Sequence, residues 1–444
     1  MIRTTSGYSF IRSLIAVGHA LIAHRTPMGS ARNCVNLRQG LVLQRFLLLA
    51  LSMLPGTTAQ LMAQQGISLT DAATRGQTIF QQSATTGMVL VVVRNHEIMI
   101  KGYGETSPGS GRTPDANTEI RLCSLSKILT SDLLARMSAE GKIALSDPLR
   151  RYSPARSVVP AGPGESAITL LDLATHTSGL AREVGAYPAK TPHFTFPDHA
   201  TRWMWLAKQK LMIPPGRAAL YSNVGYDLLG DALASAAGEP YAQLLHERIL
   251  RPLNMWDTTL APSLEQCARL MQPTGDQGPC TDTQASGASA GVYSTATDMG
   301  KLLGYLLHVP GSAAQPPLAL SVYLKPAGLK SMQGLSHAGD PTGIGLGWIQ
   351  LGDPETLSAM IEKTGGGAGF TTYIALIPKL QTGIFVAVTD GVGRSQIDFY
   401  YECNNLLAAL ANVPPLPVRL RPAPAVKEHP RARHRASEPR TPHS

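Results

Sequence analysis

The sequence has little charge, few aromatic side chains and few cysteines for its length. Only 16% of the 444 residues are charged whereas 43% are hydrophobic, so the chain can bury a sizeable core. This composition excludes a disordered or fibrous protein and, with five cysteines, a small disulfide-rich scaffold. Because the sequence contains no Cys-x-x-Cys pair and no histidine cluster, we expect neither a metal site nor a cofactor.

Acidic residues are missing from residues 1–63, which carry six Arg. At the other end, residues 414–444 carry six Arg and one Lys against two Glu. The formal net charge of +9 therefore lies at the two ends, with +6 and +5, and leaves −2 for residues 64–413. A near-neutral body offers no basic face, so no nucleic-acid partner is predicted.

The first 63 residues have the order of a secretory signal. Arg38 and Arg45 precede an apolar run at 46–54, followed by a Pro-Gly break and small residues around Ala59 and Ala63. The run is shorter than the roughly 20 apolar residues that span a bilayer, so export with cleavage is predicted rather than anchoring. A short amphipathic segment on the membrane surface is the alternative. Because a signal normally starts at its own Met, the residues before it indicate a start codon placed too far upstream.

Five strand-like segments predict one antiparallel sheet. Two apolar runs on either side of a polar break at 94–97 predict a β-hairpin over residues 87–103. Three further strands, separated by Gly- and Pro-containing breaks, are predicted at 359–363, 370–377 and 384–388.

Helix-like patterns lie between these two groups of strands and after the last one. The predicted helices cover residues 126–140, 170–174, 226–237, 241–250, 297–307 and 395–411. Strands at both ends of the sequence with helices between them predict an α+β fold, in which a helical region interrupts the sheet of a single catalytic unit at 64–413. From Pro414 onward the Pro- and Arg-rich tail lacks apolar periodicity and is predicted to be disordered.

The cysteines fit an exported protein. Cys34 would leave with the signal, and Cys267 and Cys280 flank a short Pro- and Gly-containing loop that a disulfide can close in an oxidising compartment. Such a closure stabilises a fold by about 3 kcal/mol. Cys123 and Cys403 lie in apolar patterns, which favours two buried free thiols.

Three short motifs carry side chains suited to acyl transfer. Ser124-Leu-Ser-Lys127 places a hydroxyl and an amine on one face of one turn of a predicted helix, where the amine can take the hydroxyl proton. Tyr221-Ser-Asn223 follows a Pro-Pro-Gly turn, and Lys363-Thr-Gly365 ends a predicted strand and runs into Gly366-Gly367. A single Ser-x-x-Lys is weak evidence because an ordinary first turn of a helix can contain it; the three motifs together are much more specific.

In this order, the motifs resemble the serine acyl-transfer set of penicillin-binding proteins and β-lactamases. Tyr-x-Asn in the second motif is similar to the class C branch. The nearest resemblance is to the AmpH-type D-alanyl-D-alanine carboxypeptidases/endopeptidases and covers roughly residues 75–410. It rests on residues 102–109, residues 174–178 followed by Arg182-Glu183, the pair Cys267 and Cys280, and residues 363–367 leading into Gly369-Phe370.

The resemblance implies the fold and the nucleophile. The fold would be an antiparallel sheet flanked by N- and C-terminal helices, with an inserted helical region. Ser124 would form an acyl-enzyme after losing its proton to Lys127 or Tyr221, and the sequence leaves the choice between these two bases open.

The resemblance also implies how the substrate binds. The oxyanion would lie between the backbone N–H groups of Ser124 and Gly366, and the glycines there would allow close backbone approach. Lys363 and Thr364 would bind a substrate carboxylate, and Asn223 would orient the substrate amide.

Several functions share these motifs. The resemblance favours a periplasmic serine peptidase that binds β-lactams and acts on peptidoglycan stem peptides, removing terminal D-alanine or cutting cross-links. A class C-like β-lactamase would differ in how fast water clears its acyl-enzyme. An esterase or D-aminopeptidase of the same fold and a catalytically silent penicillin-binding module are further alternatives. The basic tail could bind anionic lipid of the inner membrane.

Two other nucleophile arrangements are weaker. Gly287-Ala-Ser289-Ala-Gly291 matches the Gly-x-Ser-x-Gly elbow of α/β-hydrolases, but such an elbow must follow a buried strand, and residues 282–286 are small and polar. His176 suggests a Ser/His pair. It lies inside the Thr-His-Thr-Ser-Gly stretch that belongs to the resemblance, which favours a structural hydrogen-bonding role.

Overall fold

The computed structural model describes residues 66–155, 157–307, 318–390 and 398–417. The predicted signal at 1–63 and residues 418–444 of the predicted tail lie outside the described residues. Within the described ranges, no helix has the length and apolar character needed to cross a bilayer.

The described residues form eleven strands and nine α-helices. The strands are β1 (Gly87–Arg94), β2 (Glu97–Gly104), β3 (Glu119–Arg121), β4 (Ala219–Leu220), β5 (Tyr293–Thr295), β6 (Met332–Gln333), β7 (Pro341–Ile344), β8 (Ile349–Leu351), β9 (Met360–Gly367), β10 (Phe370–Ile377) and β11 (Thr382–Thr389). The helices are α1 (Leu69–Gln82), α2 (Ser126–Ala139), α3 (Leu170–Ala174), α4 (His199–Leu206), α5 (Asn223–Ala237), α6 (Tyr241–Leu245), α7 (Leu264–Ala268), α8 (Ala296–Leu306) and α9 (Phe399–Ala411).

A seven-stranded antiparallel sheet organises these elements. Its strand order is β2-β1-β11-β10-β9-β8-β7, and two small pairs, β3-β5 and β4-β6, lie outside it. Strand β1 pairs with β11, so the first strand of the sequence lies beside the last, with Met88 opposite Val388. The long helical region between β2 and β7 is therefore an insertion into one sheet domain.

Both faces of the sheet are covered, which explains why its central strands are apolar without alternation. Along β1, Val89, Val91 and Val93 pack into a core shared with the inserted helices. Met88, Leu90 and Val92 point to the opposite face and pack with residues of α1 and α9. The sheet thus lies between the inserted helices on one side and the two terminal helices on the other.

The terminal helices begin at clear capping residues. At the start of α1, Ser68 and Asp71 form a capping box, in which each side chain accepts from the other residue's backbone N–H. Asp398 caps α9 by accepting from the Tyr401 N–H at 3.2 Å. The backbone N–H of Ile67 donates to the carbonyl of Ala409 at 3.1 Å, which ties the first described residues to α9.

Helix α2 is the most enclosed of the inserted helices. Eleven of its fourteen residues are buried, including the polar Lys127, Thr130, Ser131 and Asp132. A helix surrounded on all sides has no apolar stripe, so its sequence cannot show the one-sided pattern of a surface helix. This burial is what places Lys127 in the interior.

The predicted α+β fold is confirmed, and its five predicted strands correspond to β1, β2, β9, β10 and β11. The prediction missed β7 and β8, which are short and contain or adjoin glycine. The helix predicted at 241–250 is α-helical only in α6 and continues as a π-helix over His246–Leu250. Disorder is predicted from Pro414 onward, and of this tail the structure describes residues 414–417. Among them, Leu416 is buried in the core beside α9.

Candidate active site

Ser124 lies in a 3₁₀ turn, Cys123–Leu125, that leads directly into α2. The turn is held from within, since the Ser126 hydroxyl donates to the carbonyl of Cys123 at 2.8 Å. The Ser126 hydroxyl also accepts from the backbone N–H of Val292 at 3.0 Å. Ser124 is thereby fixed at the N-terminal end of a buried helix, where the helix dipole favours developing negative charge.

Lys127 lies one turn further along α2 and is completely buried. Its Nζ donates to Asn223 Oδ1 at 2.7 Å and to the backbone carbonyl of Ser289 at 2.6 Å. Burial lowers the pKa of Lys127 to about 7, against the opposing effect of the Asp227 and Glu183 carboxylates. A neutral amine has two N–H donors and one lone pair; with both donors engaged, the lone pair remains to accept a proton.

Tyr221 lies among three cationic side chains. The centroid of its ring is 4.8 Å from Lys127 Nζ, 4.9 Å from Lys363 Nζ and 4.8 Å from Arg182 Cζ. Its hydroxyl is buried and has no hydrogen-bond partner among the described residues. A buried hydroxyl without a partner is well placed to bond to a ligand.

His176 has the structural role that the sequence favoured. Its Nδ1 accepts from the backbone N–H of Ser222 at 3.1 Å, and its carbonyl accepts from the N–H of Leu220 at 2.8 Å. Burial lowers the pKa of His176 well below its usual value, and the nearby cations Lys363, Lys127 and Arg182 lower it further. The neutral ring packs against Tyr221 with 4.4 Å between ring centroids, so His176 supports the segment after β4 that carries Tyr221.

Lys363 projects from β9, and only 2% of it is exposed. Burial lowers its pKa, and the positive charge of Lys127 lowers it too, although Tyr221 acts in the opposite direction. The amine lies over the ring of Tyr221, 4.9 Å from the ring centroid.

Gly365 allows β9 to lie against the turn that carries Ser124. A Cβ on Gly365 would lie 2.3 Å from Thr372 Oγ1 and 2.9 Å from the carbonyl oxygen of Leu122. Thr372 Oγ1 donates to that same carbonyl at 2.9 Å. A Cβ on Gly366 would instead have its nearest neighbour at 3.9 Å. Close approach is therefore required at Gly365, whereas Gly366 lies beside open space.

One cavity of about 150 Å³ brings most of the predicted residues together. Its lining includes Ser124, Tyr221, Lys363, Thr364, Gly365 and Gly366. A larger cavity of about 620 Å³ lies on the other side of His337, beside α9, and contains none of the predicted residues. The chemistry of the smaller cavity, not its size, identifies it as the candidate active site.

Asn223 is next to this cavity but differs from the expectation. Its Nδ2 donates to Glu183 Oε1 at 2.5 Å while its Oδ1 accepts from Lys127, so both ends of the amide are engaged within the protein. This arrangement orients Asn223 toward Lys127. The contact of Asn223 with a substrate amide stays a prediction.

Sequence reasoning missed several residues of the site. Arg182, Gly334, His337 and Tyr400 also line the cavity. Arg182-Glu183 had a visible signal, a charged pair directly after the shared Thr-His-Thr-Ser-Gly stretch. His337 and Tyr400 come from distant segments without a motif, so only the fold brings them to Ser124.

Ser289, the centre of the rival elbow motif, is not exposed as a nucleophile. It is buried, and its backbone N–H donates to Asp227 Oδ1 at 3.1 Å while its carbonyl accepts from Lys127. No strand leads into it, because residues Gln284–Ser286 form a 3₁₀ turn. This segment serves the site through its backbone.

A disulfide joins Cys267 and Cys280. The loop that it closes lies beside the end of β9. Its Pro273 packs on Gly369, where a Cβ would lie 2.4 Å from Pro273 Cγ. The carbonyl of Pro279 accepts from Arg121 Nη2 at 2.7 Å. Cys123 and Cys403 are buried free thiols, and burial raises the pKa of Cys123 to about 12.

Comparison with known proteins agrees with this geometry. The family model "Beta-lactamase" matches residues 59–402. Over 313 residues, the chain is 41% identical to the D-alanyl-D-alanine-carboxypeptidase/endopeptidase AmpH of Escherichia coli K12, which covers 70% of this chain and 81% of that protein.

Solved structures give the same result. The β-lactamase/D-alanine carboxypeptidase from Yersinia pestis, complexed with citrate, matches with a TM-score of 0.72 and 38% identity over 78% of this chain and 99% of its own. The D-alanine carboxypeptidase AmpC from Burkholderia cenocepacia shares the fold, with a TM-score of 0.61 and 22% identity over 78% of this chain and 98% of its own. The chain therefore belongs to the β-lactamase family of serine hydrolases.

Proposed function

We propose that the protein is a periplasmic, penicillin-binding D-alanyl-D-alanine carboxypeptidase/endopeptidase that acts on peptidoglycan stem peptides through an acyl-enzyme on Ser124. The observation that carries the proposal is the convergence of all three motifs on one cavity, which Ser124, Tyr221 and Lys363 line, with the buried Lys127 one helical turn from Ser124. The 41% identity to a D-alanyl-D-alanine-carboxypeptidase/endopeptidase supports the choice of substrate.

Acylation begins with proton transfer from Ser124. The hydrogen bonds of Lys127 favour this residue as the base, because its two N–H donors are engaged and its lone pair can accept the hydroxyl proton. The Ser124 oxygen then attacks the carbonyl carbon of the penultimate D-alanine. The oxyanion that forms accepts from the backbone N–H groups of Ser124 and Gly366.

Collapse of this intermediate breaks the scissile C–N bond. The leaving amine of the terminal residue takes up the proton that Lys127 received, and Tyr221, with its unpartnered buried hydroxyl beside Lys127, is placed to relay it. Water then attacks the acyl-enzyme and gives its proton back through the same groups, which releases the shortened peptide and restores Ser124.

Two observations support the periplasm as the compartment. Residues 1–63 have the order of a secretory signal, and the disulfide between Cys267 and Cys280 is of a kind that persists in oxidising compartments. The excess of Arg in residues 418–444 supports a contact with anionic inner-membrane lipid. Deleting residues 418–444 is expected to reduce membrane co-fractionation, and unchanged fractionation would contradict that contact.

The test of the catalytic proposal is intact-mass spectrometry of the signal-free protein with benzylpenicillin, followed over time, together with D-alanine release from muropeptides. We expect a persistent single adduct that is lost in Ser124→Ala, and D-alanine release by the unmodified protein. Rapid loss of penicillin with only a transient adduct would indicate a class C-like β-lactamase instead. No adduct and no released D-alanine would favour an esterase or a silent binding module.

A further inference from the structure

Arg182 is held rigidly at the mouth of the cavity. Its backbone carbonyl accepts from the N–H groups of Asn223 at 2.9 Å and Val224 at 3.4 Å, and the carbonyl of Ala181 accepts from the Ser222 hydroxyl at 2.7 Å. These bonds join the segment 181–182 to the first turn of α5, which also carries Asn223. The backbone of Arg182 is therefore fixed to α5, the helix that carries Asn223, and Asn223 contacts Lys127.

The guanidinium of Arg182 lies over the cavity. Its Cζ is 4.8 Å from the centroid of the Tyr221 ring, and its Nη1 is 3.8 Å from where a Cβ on Gly334 would stand. Together with Ser124, Arg182 and Gly334 line the same 150 Å³ cavity. A group bound at Ser124 in this cavity therefore lies near the Arg182 side chain.

The two cations of the lining differ in accessibility. The side chain of Arg182 is 60% exposed, whereas Lys363 is 2% exposed and lies against the Tyr221 ring. Burial also lowers the pKa of Lys363. A guanidinium keeps its charge across the pH range of peptidase assays and offers a planar pair of donors that fits a carboxylate. Arg182 is thus the cation that an incoming carboxylate meets.

The neighbouring Glu183 does not satisfy the charge of Arg182 by a close contact. Its Oε1 is 3.8 Å from Arg182 Nε, a long ion pair in partly exposed surroundings. The shorter bonds of Glu183 go to other donors: Oε1 accepts from Asn223 at 2.5 Å and Oε2 accepts from the Tyr187 hydroxyl at 3.3 Å.

We propose that Arg182 binds the free carboxylate of the residue that follows the scissile peptide bond, and that it thereby selects peptides with a free acid at that position. The inference rests on the proposed peptidase function and deepens it. Lys363, predicted with Thr364 to bind this carboxylate, would then act mainly on Tyr221, whose ring its amine contacts. A terminal D-alanine and a cross-linked residue with a free carboxylate would share this contact.

The test compares an acyl-D-alanyl-D-alanine peptide with the same peptide as its C-terminal amide. In the wild type, the acid should be cleaved with the higher kcat/KM. Arg182→Gln should raise KM for the acid about tenfold to 100-fold, as expected for the loss of a charge-assisted contact, and should leave the amide unchanged. Arg182→Lys should lie between, because it keeps the charge without the planar fork. Arg251→Gln removes a similarly exposed arginine outside the cavity lining and should behave as wild type.

Two results would overturn the inference. If Arg182→Gln lowers kcat equally for acid and amide, Arg182 acts through Tyr221 and not on the carboxylate. If it changes neither, Arg182 has no role in recognition.

Failure of the proposed function has a different signature, in which the wild type cleaves neither peptide. The role of Arg182 is then decided by the rate of Ser124 acylation with benzylpenicillin and with its methyl ester. Selective loss of the preference for the free acid in Arg182→Gln supports carboxylate binding, and an unchanged preference contradicts it.

Discussion

The buried amine of Lys127 couples the protonation state of the site to its chemistry. Because burial lowers its pKa to about 7, the fraction of neutral amine, the form that can accept the Ser124 proton, rises as the pH rises through that value. We therefore expect kcat/KM for D-alanine release to increase with pH and to level off above about pH 8. A pH-rate profile between pH 5 and 9 checks this; a flat profile would contradict Lys127 as the base.

Asp227 offers a sharper test of the same residue. It accepts from the N–H of Ser289, whose carbonyl accepts from Lys127, and its carboxylate favours the charged form of Lys127. Asp227→Asn keeps an acceptor for Ser289 but removes the negative charge. Burial also raises the pKa of Asp227 to about 7, so its carboxylate is only partly ionised where Lys127 titrates. Removing that charge should lower the pKa of Lys127 and move the acidic limb of the profile to lower pH.

Asp353→Asn serves as the matched control for this variant, because Asp353 is an exposed carboxylate outside the cavity lining. Its profile should superimpose on that of the wild type. If the Asp227→Asn profile also superimposes, or moves to higher pH, the electrostatic link between Asp227 and Lys127 is wrong.

At the scale of elements, the contact between β9 and the Ser124 turn decides the geometry of the proposed oxyanion site. In Gly365→Ala, the new Cβ would overlap Thr372 Oγ1 and the carbonyl of Leu122, so β9 must move away from the turn. We expect stability to fall by about 1–3 kcal/mol and penicillin acylation to fall by about 100-fold or more, as for loss of an oxyanion donor. Urea unfolding and the acylation rate measure the two effects.

Gly328→Ala is the control for Gly365→Ala. No atom lies within 4 Å of a Cβ at Gly328, and its φ is outside the left-handed region. That variant should keep both stability and acylation. If Gly365→Ala is acylated at the wild-type rate, the close approach of β9 to Leu122 is not needed for the reaction.

The loop closed by Cys267 and Cys280 supports the same end of β9 from outside. Replacing both cysteines by serine should lower the free energy of unfolding by about 2–4 kcal/mol, because the loop that packs on Gly369 is no longer closed. Denaturant unfolding with and without a reducing agent measures this effect. Reductant should lower the stability of the wild type and leave the stability of the double variant unchanged. If the two proteins are equally stable without reductant, the prediction is wrong.

The sequence predicts those elements whose signal is local. The hairpin of β1 and β2 has an uninterrupted apolar run on each side of a polar turn, and Ser124, Lys127, Tyr221 and Lys363 lie in recognisable motifs. Strands β7 and β8 are only four and three residues long, too short to show a period.

The remainder of the site depends on long-range contacts. Tyr400 follows the start of α9, yet it lines the cavity that holds Ser124, and His337 stacks on it with 6.3 Å between ring centroids. No local pattern predicts such a meeting. The hydrogen bond from Asn223 to Glu183 likewise needs the fold, because no local pattern in the sequence pairs these two side chains.

At the scale of the whole molecule, the terminal helices stabilise the sheet from the face opposite the inserted helices. Leu407 in α9 is fully buried in the core on that face, so Leu407→Ala should cost about 2–5 kcal/mol of stability. The kcat of the remaining folded protein should stay unchanged, because Leu407 itself is not among the residues that line the catalytic cavity. Met204→Ala removes an exposed side chain and should leave stability within about 0.5 kcal/mol. A loss of kcat in folded Leu407→Ala would contradict this expectation.

The pairing of β1 with β11 constrains how the molecule folds. Met88 and Val388 face each other although about 300 residues separate them, and contacts of such high sequence separation form slowly because a long loop must close first. On the ribosome, β1 has no partner on its inner side until β11 has been synthesised, about 300 residues later. The central sheet, and with it the support for β9, therefore forms only after β11 has emerged.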